Sequence, residues 1–178
     1  IKLRRYDQMV MGMKKDFDAA KTAGVTIKDL SVAKIRDFIR TAREKRQFSL
    51  PVNSSVEKLL TALELIDDDG NVLNPAALLF GKRPQKFFVA SEVKCAQFYG
   101  TKVEKPIPFY QVFRGSLFEL VDQAVGFVMG HIDAKVGTRD KSASVDIDYE
   151  LPVKAVAEAI VNAIVHRDYY SNVSVQVM

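Results

Sequence analysis

The chain has 178 residues, 48% of them hydrophobic, which is enough to bury the core of one ordinary domain or of two small ones. No apolar run reaches the ~20 residues of a membrane span, and the first residues lack the apolar core of a signal peptide, so we predict a cytoplasmic protein without a membrane partner. The single cysteine, Cys95, excludes an internal disulfide and a cysteine-based zinc site.

The formal net charge of +4 is unevenly placed along the chain. Residues 1–46 hold 13 Lys and Arg against 6 Asp and Glu, a difference of +7, whereas the remaining residues hold 13 against 16. An excess of this kind suits phosphates or an acidic partner, although a charge run is also the ordinary solvated face of a helix. Both interpretations stay open at this stage.

Apolar residues recur at helical spacing over 29–46, which predicts an amphipathic helix. The stripe consists of Leu30, Val32, Ile35, Phe38, Ile39 and Ala42. Lys34 and three arginines fall mostly outside it, and these arginines are the candidate DNA-contacting residues: Arg36, Arg40 and Arg43. All three arginines lie on the basic outer face of the predicted helix.

A second helix is predicted to begin at Ser54 or Ser55 and to run to Leu65, after Pro51 breaks the preceding pattern. The turn residues of 67–71 then predict a small hairpin, followed by a new helix near Pro75. Two helices and a hairpin resemble a winged helix, which would place a basic helix near DNA, but the same elements also serve packing in many α+β domains.

The middle of the chain predicts a mixture of strands and one long helix. Residues 92–98 alternate like a strand covered on both faces, with Cys95 as a buried, inert thiol. A long helix with a continuous apolar stripe is predicted to begin at Gly115 and Ser116 and to end near Gly130. Residues 138–144 are predicted to be a loop, and 144–150 a strand.

The last helix is predicted to begin at Pro152 and to bury four residues, Val153, Val156, Ile160 and Ile164. Three polar residues recur at spacing four and therefore form one ridge: Glu158, Asn162 and His166. Beside the ridge runs a row of small residues at the same spacing: Ala155, Ala159 and Ala163. Small side chains next to a polar ridge leave room for a ligand or for another helix.

Glu158 and Asn162 form a pair of side chains that suits metal-assisted phosphate chemistry. The oxygen of Asn162 can ligate Mg²⁺, and Glu158 can orient or deprotonate a water. Glutamate and asparagine one turn apart are also an ordinary exposed hydrogen-bonding pair, so spacing alone does not decide between the two interpretations.

Two collinear motifs carry a resemblance to a known family. The segment LPVKAVAEAIVNAIVHRDYYSNVSVQV is similar to the pattern P-x-x-A-x-x-E-A-x-x-N-A-x-x-H-R-D-Y, and NPAALLFGKRPQKFF to A-x-L-L-F-G-x-x-P-Q-x-x-F. Both mark a divergent family of ATPases that resembles the C-terminal region of RecG-type helicases and includes transcriptional regulators, usually with a Schlafen-like AlbA domain upstream. The resemblance covers roughly residues 26–178.

The resemblance implies roles for individual residues, because the last helix looks like the N-box of the gyrase, chaperone and histidine-kinase ATPases. It would make Asn162 the Mg²⁺ ligand and Glu158 the general base, with His166 and Arg167 near the phosphates of Mg-ATP. Asp168 receives no catalytic role. The Asp- and Gly-rich motifs that complete such a site are absent from this sequence. We therefore expect a fragment of a longer protein, with no cofactor bound and no activity in the fragment alone.

Together these features predict an α+β fold. Residues 1–28 would be a connector, 29–83 a helical, winged-helix-like region, and 84–178 mixed strands and long helices ending in the first helix and strand of a truncated ATPase-like domain. The predicted function is that of a bacterial ATP-binding regulator, whose whole form could be an ATPase. The alternative is a winged-helix module that binds DNA or protein and has no nucleotide site. The last segment, SNVSVQVM, is expected to be an unpaired strand able to form a homodimer.

Overall fold

The structure, a computed structural model, describes residues 17–46, 52–100, 105, 107–136 and 147–178. Helices and a small mixed sheet confirm the predicted α+β class. The described residues divide into two compact units, each with its own hydrophobic core. Unit 1 runs to Ser91 and includes Asp168–Asn172; unit 2 comprises Glu92–Arg167 and Val173–Met178. The division falls after Ser91, whereas the sequence placed the end of the helical region at residue 83.

Unit 1 is built from short helices around one apolar core. Its elements are a 3₁₀ turn Ile27–Asp29, α1 Val32–Arg46, α2 Val56–Ala62, α3 Asn74–Phe80 and a second 3₁₀ turn Pro84–Lys86. Its fully buried large side chains include Leu30, Ile35, Ile39, Leu59, Leu60 and Phe80. Each such side chain contributes about 1.5–3 kcal/mol of burial free energy, so the core stabilises helices too short to persist alone.

Isolated bridges tie together the segments that flank the helices of unit 1. Residues 17–19 are helical, and Lys21 then pairs antiparallel with Leu73. After α1 and α2, Ile66 pairs antiparallel with Val72 across a tight turn. The turn has Gly70 at φ 80°, a conformation that favours glycine. A helical turn, a bridged residue, two helices and a hairpin therefore follow one another in unit 1. The hairpin lies where the sequence predicted it.

Unit 2 contains the sheet and the two long helices. Its elements are β1 Glu92–Gln97, β2 Phe109–Arg114, α4 Leu117–Met129, β3 Ala134–Val136, β4 Ile147–Tyr149, α5 Val153–Val165 and β5 Val175–Val177. The main sheet has the order β2-β1-β5, with β1 antiparallel to β2 and parallel to β5. β3 and β4 form a separate antiparallel pair.

One face of the main sheet carries both long helices. Val93 and Cys95 of β1 are fully buried and cluster with residues of both helices: Leu120, Ala124, Val156, Ile160 and Ile164. Successive strand residues alternate between faces, so Glu92, Lys94 and Ala96 lie on the opposite face. Helix α5 packs its aliphatic stripe against α4, in the same core cluster as Val93 and Cys95 of β1.

Local signals in the sequence predicted most helix starts. Helix α1 buries Ile35 and Ile39 as expected. Ser55 caps α2, accepting a hydrogen bond from the backbone N–H of Lys58 at 3.3 Å. Ser116 and Glu119 form a capping box at the start of α4. Among the described residues, no helix is long and apolar enough to cross a membrane.

Several predictions were wrong in detail. Val153 is 45% exposed instead of buried, because it occupies the first turn of its helix, where the core has not yet been reached. The last segment is not unpaired, since β5 pairs with β1. Strands β2 and β3 were not predicted. Pro51 and the predicted loop at 138–144 lie outside the described residues.

Candidate functional site

Helix α5 presents the predicted site residues on a stable base. Pro152 is its N-cap, and Val156, Ile160 and Ile164 are at most 8% exposed. The helix ends at His166, whose backbone N–H donates to the carbonyl of Asn162 at 3.0 Å. The buried stripe fixes the rotation of α5, so the face opposite to it is turned to solvent.

The polar ridge predicted from the sequence lies on that exposed face. Glu158, Asn162 and His166 are all exposed, one helical turn apart, which is a rise of about 6 Å between neighbours. In the part of the chain that the structure describes, the side chains of these three residues form no hydrogen bond or ion pair. Their polar atoms are available to a ligand.

The two flanks of the buried stripe differ. On one flank Ala157 is half-buried, whereas on the other Ala155, Ala159 and Ala163 are all exposed. Ala163 lies only about 20° from Val156 around the helix, yet it is not covered. We call the ridge and this alanine row together the open flank of α5, defined by Glu158, Asn162, His166, Ala155, Ala159 and Ala163.

Asn162 and Glu158 are the residues of the open flank whose side-chain oxygens could bind a metal ion or its water. Mg²⁺ usually takes one or two protein oxygens and completes its octahedron with waters and phosphate oxygens. Asn162 offers one such oxygen, and Glu158 lies one turn away within reach of a bound water. Among the described residues, no group of three or more His, Cys, Asp or Glu side chains could hold a metal ion.

Unlike the side chains of the ridge, Arg167 and the segment after it make contacts within the protein. Arg167 is half-buried and makes contacts of its own. Asp168 accepts a hydrogen bond from the backbone N–H of Tyr170 at 2.9 Å and so closes a turn. The ring of Phe17 stacks on Tyr169 at 5.5 Å and meets Tyr170 edge-on at 5.1 Å, both within unit 1. Aromatic packing therefore holds Tyr169 and Tyr170 against Phe17.

The candidate DNA-contacting residues belong to unit 1. Arg36, Arg40 and Arg43 are exposed on α1, on the outer face that the sequence predicted. Arg40 forms an exposed ion pair with Asp37 at 2.9 Å on the same helix. Since Glu44 is also exposed on α1, the cations of this surface are partly neutralised by their neighbours.

The hairpin of unit 1 is acidic. Its turn contains Asp67, Asp68 and Asp69, and the last two are exposed. Hydrogen bonds from the side chain and the backbone of Asn71 lower the pKa of Asp67, so this carboxylate stays ionised. Three negative charges in this turn repel phosphates, so the hairpin is unsuited to contact DNA.

The buried carboxylate of Glu92 was not predicted from the sequence. Glu92 is 8% exposed; it accepts hydrogen bonds from Arg114 at 2.9 Å and Ser174 at 3.1 Å, and lies 3.4 Å from Lys94. Burial raises the pKa of Glu92, but these three partners lower it by more. The register Glu92↔Arg114 brings the pair together, and no local pattern predicts that register.

The chain was compared with known families, curated proteins and solved structures. No family model and no curated protein matches it. It is similar in structure to the DIP2311 protein from Corynebacterium diphtheriae, target CdR35 of the Northeast Structural Genomics Consortium, with a TM-score of 0.58 and 19% sequence identity. The match covers 90% of this chain and 30% of that protein, so this chain spans about a third of its length. At this identity the likeness concerns the fold alone.

Proposed function

We propose that this chain is part of a bacterial ATP-binding regulator related to RecG-type helicases, in which the open flank of α5 contacts Mg-ATP. The observation that supports the proposal is the exposure of Glu158, Asn162 and His166 in one row beside uncovered alanines. A helix face with free polar groups and little steric bulk lets phosphates approach closely. The nucleotide's metal would supply charge neutralisation on the phosphates.

Each residue of the ridge has a distinct task in this proposal. Asn162 would hold Mg²⁺ through its side-chain oxygen, and Glu158 would orient or deprotonate the attacking water if the longer protein hydrolyses ATP. His166 would donate to a phosphate oxygen from the end of the ridge. Arg167 would shape the pocket instead of meeting a phosphate directly, since it is half-buried and engaged with its neighbours.

The proposal is tested by calorimetry with Mg-ATP on a longer protein that also carries Asp- and Gly-rich motifs. We expect that protein to bind Mg-ATP and the 178-residue chain not to bind it. Asn162→Ala should weaken Mg²⁺-dependent binding by more than about tenfold, a loss of about 1.4 kcal/mol. Glu158→Gln should leave binding intact and abolish any hydrolysis.

Val161→Ala is the matched control, because Val161 is 37% exposed on the same helix but lies about 100° around it from Asn162. Its binding should equal that of the unaltered protein. A longer protein that ignores nucleotides, or an Asn162→Ala variant that binds as well as the Val161→Ala control, would contradict the proposal.

DNA binding through α1 is the second candidate function, supported by the exposed Arg36, Arg40 and Arg43. The acidic turn at 67–69 would not take part in this contact. Homodimer formation through β5 is a separate proposal. One edge of β5 pairs with β1, so only the other edge of β5 could pair with a second copy of the chain.

A further inference from the structure

A second basic surface of unit 1 is made of residues outside α1. It consists of four exposed cations, Lys28, Lys82, Arg83 and Lys86, and we call it the basic patch. Backbone pairing joins its two chain segments: Leu30 forms a bridge with Gly81, and the N–H of Lys82 donates to the carbonyl of Asp29 at 2.9 Å. The ammonium group of Lys82 also donates to the carbonyl of Lys28 at 2.7 Å.

The backbone beneath the basic patch is fixed. A Cβ atom at Gly81 would lie 2.3 Å from the carbonyl oxygen of Ala77, so only glycine fits there. Pro84 is buried and starts a 3₁₀ turn, and Ser31 donates through its backbone N–H to the carbonyl of Phe80 at 2.7 Å. The cations are therefore presented from ordered backbone, which reduces the entropy lost when they bind a ligand.

The basic patch has one carboxylate for its four cations, whereas residues 32–46 of α1 have two carboxylates for six cations. Residues 26–31 and 81–88 contain the four cations of the patch and a single carboxylate, Asp29. That carboxylate accepts hydrogen bonds from the backbone and side chain of Thr26 at 2.9 and 2.8 Å. These bonds lower the pKa of Asp29, and the charges of Lys86 and Lys82 lower it further.

We propose that the basic patch binds the phosphate backbone of duplex DNA without reading its sequence. A duplex carries one negative charge per about 1.7 Å of axis, and four cations on a fixed surface can meet several phosphates at once. Single strands are held mainly by bases stacked on exposed aromatic rings. Here Phe87 and Phe88 are half-buried, and the ammonium group of Lys86 lies 5.1 Å from the ring centre of Phe87.

This inference does not depend on the nucleotide site of α5, and it differs from DNA binding through α1. Two triple variants separate the surfaces, because each removes three cations: Lys82→Ala, Arg83→Ala and Lys86→Ala in the basic patch, and Arg36→Ala, Arg40→Ala and Arg43→Ala in α1. Fluorescence anisotropy with a labelled DNA duplex, over a series of salt concentrations, measures binding by the 178-residue chain and by both variants.

The patch variant should lose more than about tenfold in affinity at low salt, and the slope of log K against log salt should fall by about three. The α1 variant should lose clearly less. Two duplexes of unrelated sequence should bind alike, and a single strand of the same length more weakly. Thermal melting establishes that both variants are folded. The double variant Lys28→Ala and Lys86→Ala repeats the test without altering the segment beside Gly81.

Four outcomes would overturn the inference. The unaltered chain could show no binding at the lowest salt concentration, or the two triple variants could lose affinity equally, which would indicate general charge attraction. A loss confined to the α1 variant would assign the contact to Arg36, Arg40 and Arg43 instead. Tighter binding of the single strand than of the duplex would identify base stacking as the source of affinity.

Discussion

Unit 1 and unit 2 use their polar side chains in different ways. In unit 1, Ser55 caps α2 from three residues away, and Asp67 accepts hydrogen bonds within its own turn. In unit 2, Glu92 accepts hydrogen bonds from residues 22 and 82 positions away along the chain. Unit 1 also has long-range side-chain bonds, from Asn74 to the carbonyl of Phe17 and from Lys82 to the carbonyl of Lys28. Glu92 differs from these groups because it is a buried carboxylate that joins distant segments of the sheet.

The candidate sites of the two units also differ in what supports them. The basic patch of unit 1 rests on backbone pairing between two segments, and its four cations are exposed. The open flank of α5 in unit 2 depends on a helix being held on a sheet by its opposite face. Loss of the core beneath α5 would therefore disturb the open flank, while the basic patch should respond mainly to changes near Gly81.

The largest effect is expected from Phe17→Ala, which would show whether 168–172 belongs to unit 1. Phe17 is 7% exposed and packs against Phe88, Tyr169 and Tyr170. Replacing it should destabilise the fold by about 3–5 kcal/mol, as measured by urea unfolding. Hydrogen exchange should rise at the amides of 169–171 more than at those of β1.

Val89→Ala is the matched control for this substitution, because Val89 is 77% exposed in the same unit. It should change stability by less than about 0.5 kcal/mol. Unchanged hydrogen exchange at 169–171 in the Phe17→Ala variant would show that Phe17 does not hold this segment in unit 1.

A smaller effect is expected from Glu92→Gln, which tests the long-range polar contacts of unit 2. The native pKa of Glu92 is lowered, so its ionised form stabilises the fold above the pKa of the unfolded carboxyl, and this contribution is lost as pH falls through the native pKa. Urea unfolding at neutral pH should show a loss of about 1–3 kcal/mol.

The difference between Glu92→Gln and the unaltered chain should shrink as the solution is acidified. Glu150→Gln provides the control, since Glu150 is an exposed carboxylate of the same unit. If the stability difference for Glu92→Gln were the same at acidic and neutral pH, ionisation of this residue would not contribute to the fold.

The smallest effect on stability at neutral pH concerns Cys95. Burial raises the pKa of this thiol to about 11 from 9.0, so the native protein holds it neutral. Its contribution to stability is present below the unfolded pKa and is lost as pH rises from about 9 to about 11. A thiol reagent should label native Cys95 much more slowly than the urea-unfolded chain, and equal rates would show that β1 opens readily.

Local patterns in the sequence predicted several parts of the structure directly. Helical spacing predicted that Ile35 and Ile39 face the core while Arg36 and Arg40 face solvent. Capping residues located the starts of α2 and α4 within a residue or two, because caps act on the first turn only. Spacing four also placed Glu158 and Asn162 on one ridge of α5, and their exposure follows from the buried stripe opposite them.

Tertiary structure decided what depends on distant partners. Strand β2 was not predicted because its exposed and half-buried residues lack strong alternation, and pairing with β1 defines it. The parallel pairing of β5 with β1 and the burial of Glu92 depend on register, which arises only when segments far apart in sequence meet. The basic patch arises in the same way, since Lys28 and Lys82 become neighbours through the bridge between Leu30 and Gly81.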